Sequence, residues 1–121
     1  MTMNRADAAD CAPVSDRHDH EAVAAVFRAL GEPARLQIVH SLASGEQRVV
    51  DLVGAVGLAQ STTSAHLAVL REAGLVAPRV EGRSTYYSLT TTALVALVHR
   101  AEELLEDGLH AVVHSHAEGV G

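Results

Sequence analysis

A run of short, uncharged side chains that form hydrogen bonds lies in the middle of the chain, where an exposed helix would ordinarily carry charges. It consists of Gln60, Ser61, Thr62, Thr63, Ser64 and His66. Side chains of this kind can approach phosphates closely and exchange hydrogen bonds with base edges. The run therefore predicts contact with DNA, and the alternative is an ordinary helical hairpin with a Ser/Thr-rich cap.

The cations that could neutralise phosphates are all arginines, or histidines when protonated, because the chain has no lysine. Arg71 follows the polar run, and Arg83 and Ser84 lie in a later turn, so we expect all three to contact DNA. A solvated turn charge is the alternative for Arg83. The formal net charge is −6, but the acidic residues cluster towards the two ends, and charge distribution matters more than the sum. Few cations predict modest affinity and a shallow salt dependence for each subunit.

Potential metal ligands occur near both ends of the chain. They are Cys11, His18 and His20 at one end, and His110, His114 and His116 at the other. Two histidines four residues apart on a helix can share one metal ion. Imidazole and thiolate are good ligands for zinc and nickel. The pattern predicts a nickel or zinc site, and the alternative is that these histidines are polar surface residues.

Two helices are needed to present the polar run. Apolar residues at spacings of three and four between 49 and 56 predict the first helix, and Gly57 is expected to end it. Ser61 is expected to cap the second helix. The residues expected to be buried by that helix are Ala65, Leu67, Ala68 and Leu70. This is the pattern of a helix-turn-helix whose second helix enters the DNA major groove.

The flanking segments predict further elements around this unit. Helices are expected over about 20–30 and 33–43, the second of them burying Leu36, Val39 and Leu42 beside Ile38. Two β-favouring segments around Gly82 predict a hairpin, with 75–80 as its first strand and 84–89 as its second. A hairpin directly after the recognition helix is a wing.

The last helix is expected to run from Thr91 or Thr92 to about His114, with an apolar stripe that is long for one small domain. Such stripes commonly pack against a copy of themselves, and a homodimer suits a palindromic operator with half-sites one turn apart. The expected interface residues are Val23, Phe27, Leu94, Leu97, Leu104 and Leu105.

Length and composition are consistent with one small domain. The chain has 121 residues, of which 48% are hydrophobic and 2% aromatic, so the core must consist mainly of Ala, Val and Leu. The predicted fold is mainly α with a small β-hairpin wing, a winged helix-turn-helix that is homodimeric through its terminal helices. We expect a mobile arm over 1–19, the domain with its dimerisation helix over 20–114, and a flexible tail over 115–121.

Several other classes of protein are not expected. No apolar run approaches membrane-spanning length, and the N-terminus is polar and acidic, unlike a signal peptide, so we expect a cytoplasmic protein without a membrane partner. The single cysteine excludes an intrachain disulfide. The sequence has neither a glycine-rich phosphate loop nor a nucleophile elbow, and Cys11 lies in the expected mobile arm, so we do not expect an enzyme.

Five ordered motifs resemble the ArsR/SmtB family of winged-helix repressors. Residues 29–39 are similar to the family's AL(A/G)(D/E)PxRLxIL segment, 50–52 to the V.DL start of its helix-turn-helix, and 60–67 to its QSxxSxHL segment. Residues 70–76 are similar to LRxAGLV and 81–89 to xGRxxYYxL. The resemblance covers about 22–110. The DNA-contact positions that it implies are Gln60, Ser61, Thr63, Ser64, His66 and Arg83.

Two known metal sites of that family are missing from this sequence. Many members sense metals through a Cys-x-Cys pair just before the DL dipeptide, where this chain has Arg48 and Val50. Others bind metal between the last helices, and the corresponding residues here are Thr91, Ala93, Leu104 and Asp107. Only the last of these could be a ligand.

The resemblance implies a DNA-binding transcriptional regulator, a repressor that binds a palindromic operator as a dimer. If it responds to nickel or zinc, the ligands must come from the ends of the chain. The alternative is control of the same fold by redox chemistry at Cys11 or by a partner protein.

Overall fold

The structure, a computed structural model, describes residues 17–109, with the side chains of 19–108. Within this range the structure has five α-helices and a small three-stranded antiparallel sheet, which confirms the predicted mainly α fold with a hairpin. We number the elements in chain order. They are α1 (Arg17–Leu30), α2 (Pro33–Leu42), β1 (Gln47–Arg48), α3 (Val49–Val56), α4 (Gln60–Glu72), β2 (Val76–Glu81), β3 (Ser84–Leu89) and α5 (Ala93–Leu104), which continues into a π-helical turn (Leu105–Leu109).

The helix-turn-helix is formed by α3 and α4, which are joined by a tight turn at Gly57. This glycine has φ +70, and its N–H donates to the carbonyl of Val53, so it ends α3 as predicted. The expectation that Ser61 caps α4 is wrong. The cap residue is Ala59, whose carbonyl accepts the hydrogen bond from the N–H of Thr63 at 2.9 Å. The turn is therefore shorter than expected.

The wing is a hairpin of β2 and β3, which pair from Val76 opposite Leu89 to Glu81 opposite Ser84. Gly82 is the first of the two turn residues, and its φ of +62 is the conformation that a type II′ turn requires there. The sequence did not predict β1, which pairs with β3 and makes β3 the central strand.

The core lies where α2, α3, α4 and α5 meet. Its fully or nearly fully buried side chains include Ile38, Leu52, Leu67 and Leu70. The expected burial of Leu36, Ala65 and Ala68 is wrong, because all three are exposed. The buried face of α4 instead passes through positions 63, 67 and 70, which recur at spacings of four and three.

The first and last helices begin close to the positions predicted from the sequence. Helix α1 begins at Arg17, three residues before the expected boundary at His20. Thr92 precedes α5 as its cap residue, as one of the two predicted alternatives. The rest of the arm, the last residues of the predicted long helix and the tail lie outside the described residues. No helix between 17 and 109 is long and apolar enough to cross a membrane.

Candidate nucleic-acid interface

The first turns of α4 expose most of the polar run. Gln60, Ser61, Thr62 and Ser64 are all exposed, at the end of the helix where unpaired backbone N–H groups and the helix dipole favour negative charge. Short hydroxyl and amide side chains at this position can approach a polyanion closely without competing charge.

Thr63 is an exception, and it corrects the expectation that its side chain contacts DNA. It has 0% exposure, and its hydroxyl donates to the carbonyl of Ala59 at 3.0 Å. Its position places it on the same helical face as Leu67 and Leu70. The side chain therefore belongs to the core and to the first turn of α4.

A cleft of about 390 Å³ separates the start of α4 from the wing. Gln60 and Ser64 line it from the helix, and Arg83 and Ser84 line it from the wing. The fold thus brings together predicted contact residues from two segments about twenty positions apart. The polar lining and the arginine make this cleft suitable for a phosphate-bearing ligand.

Arg48 also lines this cleft, and sequence reasoning did not identify it as a contact residue. Its side chain is 46% exposed and lies 3.4 Å from the carboxylate of Asp51, one turn later. An exposed pair of this kind is weak, so the guanidinium can exchange it for a phosphate. The sequence feature that could have indicated this contact is an arginine directly before the first helix of the helix-turn-helix.

Arg71 is exposed near the end of α4. At 100° per residue it falls on the same stripe as Gln60 and Ser64. It lies eleven residues from Gln60, about 16 Å along the helix axis. It can therefore extend the cationic surface along the helix.

The side chain of Arg79 on β2 is already paired with two carboxylates. It donates to both oxygens of Glu46, at 2.9 and 2.8 Å, and to Glu81 at 2.6 Å. Its guanidinium also lies 4.7 Å from the ring centroid of Tyr86. The hydrogen bond from Arg79 holds the pKa of the Glu46 carboxyl below its ordinary value. Arg83 is therefore the wing arginine that is placed for phosphate.

His66 is half-buried on the flank of α4. Its Nδ1 lies 3.1 Å from Nη1 of Arg35 on α2. Sequence reasoning placed His66 among the DNA contacts and did not predict this contact with another helix.

A second surface, the apolar groove, lies between α1, α2 and α5 on another part of the protomer. It has a volume of about 500 Å³, and its lining includes Phe27, Leu36, Leu97 and Leu105. Phe27 is 54% exposed although it is a large apolar side chain. Of the other expected dimer contacts, Val23 and Leu104 are also exposed.

Leu94 corrects the expected dimer interface. It is only 3% exposed and packs in the core of its own protomer. The start of α5 therefore helps to close the domain, and the Leu94 side chain is not available to a partner.

The predicted metal ligands fall mainly outside the described side chains, and these are Cys11, His18, His110, His114 and His116. His20 is exposed on α1. Among the side chains of 19–108, no group of three or more His, Cys, Asp or Glu residues is arranged to hold a metal ion. This part of the chain therefore does not itself provide the predicted site.

Comparison with known proteins agrees with this geometry. Residues 32–77 match the family described as bacterial regulatory protein, arsR family. The chain is 43% identical over 79 residues to the HTH-type transcriptional regulator NmtR of Mycobacterium tuberculosis, over 65% of this chain and 66% of that protein. It is 35% identical over 85 residues to a transcriptional repressor SmtB homolog of Synechocystis sp., over 70% of this chain and 64% of that protein.

A solved structure extends the match to nearly a whole domain. It is the homodimeric winged helix-turn-helix DNA-binding domain Mb0332 of Mycobacterium bovis, a possible ArsR-family transcriptional regulator. The TM-score is 0.65 and the identity 33%, covering 86% of this chain and 92% of that one. The described fold, the family match and these relatives lead to one conclusion: the chain belongs to the ArsR/SmtB family of winged helix-turn-helix transcriptional regulators.

Proposed function

We propose that the protein is a homodimeric repressor that binds a palindromic operator, with α4 of each protomer in a major groove and each wing on the adjacent backbone or minor groove. The cleft between α4 and the wing carries this proposal, because Gln60 and Ser64 face it beside Arg83. A helix in the major groove supplies base contacts, and the cations around it supply phosphate contacts. Repression is the action named for the Synechocystis relative.

Dimerisation is supported by the apolar groove and by the small number of cations. Exposed apolar side chains such as Phe27 and Leu105 lose contact with water when a second copy covers them. Each protomer offers Arg48, Arg71 and Arg83 to phosphates. Six contacts in a dimer correspond to a slope of about −5 in log affinity against log salt concentration.

The test begins by selecting a duplex from a random library with the wild-type protein and measuring its affinity at several salt concentrations. Arg83→Ala is expected to weaken binding to all duplexes similarly and to make the slope shallower by about 2, one contact from each protomer. The matched control is Arg100→Ala, since Arg100 is exposed on α5 and pairs with Glu103 at 3.0 Å. Selection of no preferred sequence, or equal effects of the two variants, would contradict the proposal.

We further propose that nickel or zinc controls DNA binding through ligands at the chain ends. Two observations support it. Histidine and cysteine are good ligands for both ions. At the positions of the family's two known metal sites, this chain has Arg48 and Val50 in one and Thr91 and Ala93 in the other. The ligands would be drawn from Cys11, His18, His20, His110, His114 and His116. A coupling between metal and DNA binding is typically worth about 1–3 kcal/mol.

A nickel or zinc titration read beside a DNA-binding curve tests this second proposal. Replacing His110, His114 and His116 together with Ala is expected to abolish the metal response and leave DNA binding intact. A normal response in the triple variant would exclude the C-terminal ligands. If the wild type binds neither ion under reducing conditions, redox chemistry at Cys11 or a partner protein becomes the better candidate.

A further inference from the structure

Arg35 connects three helices through one guanidinium group. Its Nε donates to the carbonyl of Ala29 at 2.6 Å, and its Nη2 donates to the carbonyl of Arg28 at 3.4 Å, both at the C-terminal end of α1. Its Nη1 donates to Nδ1 of His66 on α4 at 3.1 Å. Arg35 itself lies on α2 and is half-buried. One side chain therefore joins the recognition helix to the end of the helix that carries Phe27.

This contact determines which nitrogen of His66 carries the proton. A guanidinium has five N–H donors and no acceptor. Nδ1 must therefore accept, so in the neutral ring the proton resides on Nε2. A proton added to Nδ1 would remove the acceptor and place a second positive charge close to the guanidinium.

Two other charged side chains lie near the hydrogen bond between Arg35 and His66, but neither takes the place of Arg35. Arg28 of α1 and Glu72 of α4 line the same open cavity as Arg35. Arg28 adds positive charge. Glu72 is exposed and six residues beyond His66, about 9 Å along the helix axis, a distance at which salt screens much of its charge. The direct hydrogen bond from Arg35 is therefore the main influence on the ring.

We propose that Arg35 is a positioning residue for DNA recognition. It holds the His66 ring, and through it the recognition helix, against the end of α1. The proposal rests on the DNA-binding function proposed above. Because α1 also contributes to the apolar groove, the link sets the recognition helix relative to the second copy. Sequence preference should therefore fall when this hydrogen bond is removed.

The experiment compares affinity for the selected duplex with affinity for a base-shuffled duplex, in the wild type and in variants at both positions. A change in charge acts on both duplexes alike, so the ratio isolates sequence preference. Arg35→Met removes the donor, and we expect it to lower the ratio by about 3- to 10-fold, the effect of losing one hydrogen bond. His66→Asn offers an acceptor in place of Nδ1, so it should keep a higher ratio than His66→Leu, which offers none.

A control and a second measurement keep the inference testable if Arg35→Met fails to fold. His99→Asn replaces an exposed histidine on α5, so it should retain the wild-type ratio. Nitrogen-15 NMR of the wild-type imidazole at pH 8, without DNA, should show an unprotonated Nδ1 and a protonated Nε2 at His66.

The outcomes separate this inference from the proposed function. If no duplex can be selected, the DNA-binding proposal fails, and the NMR measurement still decides whether Arg35 holds His66. If a duplex is selected and both Arg35→Met and His66→Leu keep the wild-type ratio, the positioning role is refuted. A proton on Nδ1 of His66 at pH 8 would also refute it.

Discussion

Replacing Thr63 with Val tests whether the buried face of α4 takes part in DNA binding. The two side chains have nearly the same shape, so the only group lost is the hydroxyl that donates to Ala59 at 3.0 Å. That carbonyl also accepts from the N–H of Thr63 at 2.9 Å, so it keeps a partner. Losing such a hydrogen bond costs about 0.5–1.5 kcal/mol, and burying a methyl group in its place offsets about 0.8 kcal/mol. We expect the free energy of unfolding to change by less than about 1 kcal/mol, with DNA affinity unchanged.

The assay pairs urea unfolding, followed by circular dichroism, with fluorescence anisotropy on the duplex selected by the wild type. Ser64→Ala is the matched control, because Ser64 is the next residue and faces the cleft. It should also retain stability, but its DNA affinity should be lower by about 3- to 10-fold. If Thr63→Val lowers affinity by more than about tenfold while its unfolding is unchanged, the hydroxyl contacts DNA and the burial argument is refuted.

Three further substitutions test other parts of the molecule. Leu67→Ala should lower the free energy of unfolding by about 2–5 kcal/mol in urea, because a side chain that is 1% exposed leaves a cavity; a much smaller loss would contradict the core. If the protein forms the proposed dimer, Phe27→Asp should convert it to monomers in analytical ultracentrifugation, and a persistent dimer would place the interface elsewhere. The lowered pKa of Glu46 means that its pair with Arg79 stabilises the fold at neutral pH and is lost as pH falls below about 4.5. Glu46→Gln should remove that part of the pH dependence of unfolding, and an unchanged profile would contradict the pairing.

The sequence predicted the wing well because a hairpin is determined by residues that are close together in the chain. Gly82 lies between two β-favouring segments, and both the turn conformation and the strand preference depend on neighbouring residues. The end of α3 at Gly57 was predicted for the same reason. The polar surface of α4 was also visible in the sequence, since exposed residues there differ in type from the leucines of the core.

Most of the wrong predictions concern burial. Burial depends on which face of a helix is turned towards the rest of the protein. Thr63 resembles its polar neighbours in type, yet it shares a face with Leu67. Leu94 continues the apolar stripe of α5, but it packs in the core of its own chain, and Leu97 and Val98 of the same helix pack against that core too. The contact between Arg35 and His66 joins positions 31 residues apart, and no local pattern indicates a contact at that separation.

Strand β3 connects the wing to the start of the helix-turn-helix through its pairing with two strands. This strand pairs with β2 on one side and with β1 on the other, and β1 runs directly into α3 at Val49. The wing is thereby bonded to the start of the helix-turn-helix, and Arg79 joins the same two regions through Glu46. The wing and the helix-turn-helix are therefore joined both by strand pairing and by an ion pair. In the proposed dimer, we expect an effector to change DNA affinity by changing the distance and angle between the two protomers rather than the position of the wing within each one.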